Sequence, residues 1–408
     1  MSGPKTFRDF PVEDGNLLIG GVPLTRLAER VGQTPFFAYD RHRLTERVSD
    51  LRAHLPKEMR LSYAIKANPM PALVQHMARV VDGFDVASAA EMRVALDTSM
   101  PPPRISFAGP GKTAKEIRQA IASNIVLHVE SRREIEEASS AAEEVGARPR
   151  MAIRINPDFE LRGSGMRMGG GAQQFGTDVE AVPGLLKELA DRDLDFIGFH
   201  IFAGSQCLSS DAICMMHKQT IDLATRLARH APGPIKHLNI GGGYGIPYAP
   251  DHEALDLKPV GETLHALFDT VVRRELPEAE VVLELGRFLV GEAGIYVTRV
   301  IDRKVSRGRV FLITDGGLHH HLAASGHFGQ VIRRNFPVAI GNRLGPSEQE
   351  EVTVVGCLCT PLDLLADKVR LPVASTGDLF VVFQSGAYAR TASPSGFLSH
   401  PSCLEVLL

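Results

Sequence analysis

Lys66 closes an apolar run, residues 61–65, and Asn68-Pro69 breaks the chain directly after it. An ammonium group is costly to bury, so a lysine at the carboxyl end of a strand snorkels, pairs with a carboxylate, or gives up its charge and acts as a nucleophile. Other polar residues end apolar runs in the same way: Asp85 and Ser88, Arg154 and Asn156, His200, the glycines Gly241, Gly242 and Gly243, and Glu284. Singly, the lysine is most simply a snorkelling side chain and the glycines a tight turn. Together they offer an amine that attacks carbonyls, backbone N–H groups that can approach an anion, an imidazole and a carboxylate.

The elements that would carry these residues repeat. Apolar strand candidates end near residues 66, 88, 109, 130, 156, 201, 241 and 284, and all but one of the gaps hold a helical segment. The clearest helices, 115–122, 132–145, 182–189, 211–228 and 260–274, have apolar residues at three- and four-residue spacing. Strands alternating with helices in this number predict a closed (β/α)8 barrel, with an open doubly wound sheet as the structural alternative. The carboxyl-end rim of such a barrel would gather the residues named above, and the glycine run after strand seven would lie where phosphate sites commonly form. From residue 294 the texture changes to β-rich runs, 297–300, 310–314, 352–355 and 379–383, separated by Gly, Pro and Asn. The expected division is residues 1–40 as strands packing with a carboxyl-terminal β-domain, 41–293 as the barrel, and 294–408 as that β-domain.

Composition narrows the function. The 408 residues are 44% hydrophobic and 23% charged, ordinary values for a globular enzyme of two or three domains. The net charge of −3 and the lack of a Lys/Arg cluster interleaved with aromatics argue against nucleic acid as a partner. No apolar run is long enough to cross a membrane, and the polar amino terminus lacks the apolar centre of a signal peptide, so a cytoplasmic protein is expected. Five cysteines without a Cys-x-x-Cys pair indicate neither a disulfide framework nor a zinc ribbon.

A reactive lysine, an anion-binding glycine turn, a histidine and a carboxylate around one barrel mouth describe a pyridoxal 5′-phosphate site: lysine for the aldehyde, glycines for the phosphate, carboxylate for the pyridine nitrogen. At this point the chain resembles the fold-type III pyridoxal phosphate decarboxylases, which include diaminopimelate, ornithine and arginine decarboxylases. The likeness spans nearly the whole chain and implies an alanine racemase-like fold. Tyr63-Ala64-Ile65-Lys66-Ala67-Asn68 is similar to the family's cofactor-lysine motif, and Phe84-Asp85-Val86-Ala87-Ser88 through Glu91 to its second-strand motif. The resemblance implies that Lys66, Asp85, His200, Ser205, Gly241, Gly242, Gly243, Glu284 and Tyr388 hold the cofactor, with His200 stacked on its ring and Glu284 on the pyridine nitrogen. It further implies that Arg154, Arg287, Thr360 and Asp363 bind substrate. Cys359 is implied to be catalytic, reaching into the neighbouring subunit of a homodimer with composite active sites.

The implied reaction is α-decarboxylation of an amino acid, free or conjugated. Where relatives acting on basic substrates place an acid after the cysteine, this chain has Thr360-Pro361, so diaminopimelate and ornithine are not the expected substrates. Phe202-Ala203 resembles an insertion, the loop 162–171 is unusually rich in glycine, and residues 396–401 replace the usual aromatic-Asn-x-Arg-Pro. These departures are similar to a specialised biosynthetic subgroup, associated with exopolysaccharide and exosortase loci. An alanine-racemase-like isomerase and a non-catalytic cofactor carrier remain alternatives; Glu284 argues against the first and the region 294–408 against the second. His319-His320-His321 reads as a strand segment whose side chains alternate faces, and no metal is expected. Cys357 reads as a buried hydrophobe, and the charges of residues 132–137 as a solvated face.

Overall fold

A computed structural model of the chain describes residues 10–190, 192, 194–249, 251–328 and 333–408; the polar stretch before Phe10 lies outside the described residues. The described residues form two compact units, one within 46–246 and 254–288, the other within 10–45, 247–253 and 289–408.

The first unit is the barrel. Its strands are β1 (Arg60–Ala64), β2 (Gly83–Val86), β3 (Ile105–Phe107), β4 (Val126–Val129), β5 (Arg150–Asn156), β6 (Asp195–Ile201), β7 (His237–Gly242) and β8 (Glu280–Leu285). All neighbours are parallel, and β8 pairs with β1 while β4 pairs with β5, which closes the ring and excludes an open sheet. Strands covered on both faces need continuous apolar sequence rather than alternation. Phe84, Phe107, Leu127, Ile153, Phe199, Leu238 and Leu283 are accordingly all buried.

The crossover helices begin where side chains satisfy their first N–H groups. Thr113 and Glu116 form a reciprocal capping box on the helix Ala114–Ala122, and Ser88, Ser131, Ser209 and Asp256 each cap the helix that follows them. Such caps contribute about 1 kcal/mol each. The helix expected over 260–274 starts earlier, at Leu257, because Pro259 falls in its first turn, where a missing N–H is tolerated; it then passes into one π turn at Phe268–Val272.

The second unit is built on a six-strand path, in the order Val338–Ile340, Leu379–Val382, Gly294–Ser306, Arg309–Thr314, Gln349–Val355, Leu364–Pro372. Phe36–Tyr39 adds antiparallel to Gly294–Ser306 and parallel to Leu404–Leu407. Phe36, Ala38, Ile295, Val297, Val381 and Phe383 form its core. No helix among the described residues is long and apolar enough to cross a membrane.

Candidate active site

β1 runs into a 3-10 turn, Ile65–Ala67, that carries Lys66. The turn is fixed from behind: the Tyr63 hydroxyl donates to the Asn68 carbonyl at 2.8 Å, and the Asn68 side-chain oxygen accepts from the Met70 N–H at 3.1 Å. Ile65 and Ala67 are buried while Lys66 keeps 41% of its side-chain surface, so only the lysine faces the barrel mouth. Gly286, just past β8, leaves the space this turn requires, since a Cβ there would lie 2.9 Å from that of Ala67.

Two carboxylates meet the ammonium. Lys66 Nζ lies 3.0 Å from Asp85 Oδ2 and 3.3 Å from Glu284 Oε1, both acids being buried. Ser106 Oγ donates to Asp85 Oδ1 at 3.0 Å, and Asn239 Nδ2 donates to Glu284 Oε2 at 2.9 Å. The two acids are driven apart electrostatically. Burial and then the Glu284 charge push Asp85 up to about 7, against the opposing pull of Lys66. Burial also works against ionised Glu284, but Lys66 and the Asn239 hydrogen bond outweigh it and hold Glu284 below the usual carboxylate range. Glu284 is thus the lasting anion of the pair.

The raised Asp85 has a consequence for stability. Between its unfolded value near 3.8 and about 7, the folded cofactor-free protein holds a proton that the unfolded chain has lost. This group's contribution to stability therefore falls as pH rises through that window. Melting curves of cofactor-free wild type and Asp85→Asn should diverge in slope there, the variant being flatter; parallel profiles would contradict the assignment.

His200, on β6, lies level with Arg154 on β5 and Asn239 on β7. It is 2% exposed, neither ring nitrogen makes a hydrogen bond, and Nε2 approaches Glu284 Oε2 at 3.4 Å. Its ring centroid is 4.5 Å from that of His128, whose Nε2 lies 3.3 Å from His237 Nε2. Burial pushes all three imidazoles well below their ordinary range, His237 to about 4, so they are neutral rings. A neutral, buried ring with unused nitrogens is suited to a planar ligand beside it.

The glycine run is explained first by crowding within the protein. Gly241 and Gly243 have φ of 66° and 75°, and a Cβ at Gly242 or Gly243 would strike the carbonyl of Glu284 or of Gly204. The Gly241 N–H donates to Asn239 Oδ1 at 2.8 Å, so of the three glycine amides this one is already committed within the fold. Ser205 lies in a two-residue strand, Gly204–Ser205, paired antiparallel with Met166–Arg167. The Met168 N–H donates to the Ala203 carbonyl at 3.2 Å. Residues 203–205 and the glycine-rich loop 162–171 are therefore paired with one another.

Arg154, expected to bind substrate, is buried, with Nη1 3.0 Å from Glu130 Oε1 and its guanidinium over the Phe175 ring. Glu130 also accepts from the Gly109 and Gly176 N–H groups. Glu134, expected on a solvated face, is instead 1% exposed and 2.9 Å from Lys112 Nζ. The loop before the preceding helix supplies that cation, a contact no local charge pattern reveals. Arg287 is half-buried and opens the short helix Arg287–Val290, directly after β8.

The remaining expected residues lie in the β-unit. Cys359 is exposed and Thr360 half-buried on a turn in which the Thr360 N–H donates to the Leu358 carbonyl at 2.8 Å. Tyr388 is half-buried with φ of 51°. Asp363 departs from the expectation of substrate contact. It is 2% exposed, with Oδ1 accepting from the Leu318 N–H at 2.6 Å and Oδ2 from the Leu358 N–H at 2.8 Å, so its carboxylate holds two loops together. The histidine triplet also departs: residues 318–320 form a turn rather than a strand, and His319 comes to Cys357 and His400 in a group able to hold a metal ion. Residues that sequence reasoning missed are the supports: Asn239, Ser106, His128 and Glu130. Asn239, two residues before the glycine run, and Glu130, at the end of an apolar run, stood near recognisable signals.

The barrel residues fit pyridoxal 5′-phosphate. An amine stands between a lasting carboxylate and a second acid near neutrality, beside a buried imidazole with unused ring nitrogens. Comparison with known proteins agrees. Residues 41–291 match the family model described as pyridoxal-dependent decarboxylase, pyridoxal binding domain. The chain is 35% identical over 389 residues to the L-glutamyl-BtrI acyl-carrier-protein decarboxylase of Niallia circulans, covering 94% of this chain and 90% of that one. It is 30% identical to the 2-((L-alanin-3-ylcarbamoyl)methyl)-2-hydroxybutanedioate decarboxylase of Staphylococcus aureus, covering 90% and 92%. Among solved structures, diaminopimelate decarboxylase from Helicobacter pylori complexed with L-lysine superposes with a TM-score of 0.82 at 26% identity, covering 94% of each chain.

Proposed function

Because this chain belongs to the pyridoxal-dependent decarboxylase family, and is a carboxy-lyase working with pyridoxal 5′-phosphate, we propose that its substrate is an α-amino acid whose far end is neutral, anionic or joined to a larger group. The observation that carries the chemistry is Glu284, held ionised by Lys66 at 3.3 Å and Asn239 at 2.9 Å. Pyridoxal 5′-phosphate held by these residues would supply a protonated pyridine ring able to take up the electron pair of the Cα–carboxylate bond as carbon dioxide departs. Glu284 keeps that ring nitrogen protonated, which an isomerase built around an arginine at this position would not do. Lys66 is the amine that anchors the cofactor, with Asp85 beside it, and His200 is the ring against which the cofactor lies. Ser205, Gly242, Gly243 and Tyr388 serve the phosphate, with Gly241 shaping the turn, and Arg287 forks the substrate carboxylate. Arg154 supports this rim through Glu130. Cys359, from the second subunit of a homodimer, protonates Cα with Lys66 assisting, and Thr360 stands where the far end of the substrate passes. The protein works in the cytoplasm.

The far end decides specificity. Thr360 offers no charge to a distal ammonium, and leaving a buried ion unpaired costs several kcal/mol, so a basic substrate should lose at least about a hundredfold in kcat/KM. The two relatives named above as decarboxylases of an acyl-carrier-bound glutamyl group and of a carbamoyl-linked alanine derivative support a conjugated substrate. The test compares kcat/KM for glutamate, glutamyl-pantetheine, an acyl-carrier-bound glutamyl group, meso-diaminopimelate and ornithine. A conjugated substrate should lead the series, and diaminopimelate turned over as well as the best would sink the reading.

A further inference from the structure

We infer that His319, Cys357 and His400 form a binding site for a borderline-soft divalent cation of the zinc class, made of residues to which the proposed reaction gives no role. Their ligand atoms all lie within 4.8 Å of one another. They come from different segments of the β-unit: the turn after Arg309–Thr314, the loop after Gln349–Val355, and the stretch before Leu404–Leu407.

The histidine triplet shows which member is set aside. His320 Nε2 donates to the Pro401 carbonyl at 2.9 Å, which leaves Nδ1 to accept from the Tyr296 hydroxyl at 3.3 Å. His321 Nε2 lies 2.9 Å from Ser385 Oγ, and its Nδ1 accepts from the Ala324 N–H. His319 is 0% exposed, yet neither of its ring nitrogens has a hydrogen-bond partner. A buried polar group left unsatisfied costs about 1–3 kcal/mol, and here its neighbours are the polar atoms of a second imidazole and a thiol. Cys357 Sγ is 3.8 Å from His400 Nδ1, and the His319 and His400 ring centroids are 5.3 Å apart.

The scaffold holds the three in place. Asp363 accepts from the N–H groups of Leu318 and Leu358, the neighbours of His319 and Cys357, while His320 binds the carbonyl of Pro401, the neighbour of His400. Gly317 and Gly356 make room for this, since a Cβ on either would collide with the Asp363 carboxylate. Asp363 is thus a positioning residue for the site. Ligands around a tetrahedral zinc ion stand about 3.3–3.8 Å apart given its bond lengths, so contraction by about 1 Å completes the geometry. Two nitrogens and one sulfur select zinc, cobalt or nickel over magnesium or calcium. Three protein ligands leave the fourth position to water, and half-buried Cys357 and His400 place the site at the surface, where an ion can enter.

The test uses the cofactor-loaded enzyme, purified without a polyhistidine tag, stripped with a chelator and titrated with Co2+ and then Zn2+. One cobalt per chain should bind, with a sulfur-to-cobalt charge-transfer band and tetrahedral d–d absorption, and zinc should displace it and raise Tm. Cys357→Ser should abolish the charge-transfer band while Cys359→Ser keeps it. His400→Gln, in a half-buried loop position that should not threaten folding, should weaken binding at least about tenfold. Absence of stoichiometric metal in the wild-type protein overturns the site, as does a charge-transfer band that survives in Cys357→Ser or disappears only in Cys359→Ser.

Discussion

Replacing Lys66 by alanine is expected to lower kcat by at least about a thousandfold, since its share in proton transfer alone is worth about 10²–10⁴ and the anchor for the cofactor goes with it. The purified wild-type protein should be yellow and lose that colour on borohydride reduction; the variant should lack the reducible band while still binding some cofactor through the phosphate-side residues. Removing Lys66 also leaves Asp85 and Glu284 facing one another without a cation. Lys66→Arg separates the two effects, because it keeps a positive charge between the acids yet supplies no comparable nucleophile. Activity should stay lost in Lys66→Arg. Recovery there would mean that Lys66 acts only as a counter-charge, and a reducible tag mapping to a different lysine would displace Lys66 from its role.

The second large effect concerns Cys359, exposed on its turn in the single chain. If it serves a site in the neighbouring subunit, Cys359→Ala should lose about 10²–10⁴ in kcat. Mixing it with Lys66→Ala under subunit exchange should then restore activity, although each parent is nearly inactive. Random pairing makes about half of the dimers mixed, and each mixed dimer holds one intact site and one lacking both residues. Recovery should therefore approach about a quarter of the wild-type rate, a count set by two-fold symmetry. A mixture with demonstrated exchange that stays as inactive as its parents would place Cys359 in its own chain's site or remove the dimer.

The barrel was legible because its strands are short apolar runs, most with a polar residue at the carboxyl end, and the helices in all but one of the gaps repeat at helical spacing. Lys66, Asp85 and Glu284 could be picked out for the same reason. What sequence could not show is which side chains meet across strands. His128 sits inside Val126–Val129 like any strand residue, and only closure of the barrel sets its ring against His200. Ser106 and Asn239 gain their meaning from the acids beside them on β2 and β8. The strand Leu364–Pro372 went unread because its alternation is broken: the pairing with Gln349–Val355 shifts register, and Lys368 has φ of 49°. Asp363 looked like a substrate ligand because acids after this cysteine suggest one; its burial under two N–H groups is a property of loop packing. His319 differs from His320 and His321 only in what three distant segments bring to it.

Turnover in D2O of a conjugated amino acid carrying 13C in its α-carboxylate separates decarboxylation from isomerisation at Cα. One labelled carbon dioxide should be released per product amine, with a single deuterium at Cα. Deuterium entering Cα, or inversion there, with the labelled carboxylate still attached would contradict decarboxylation.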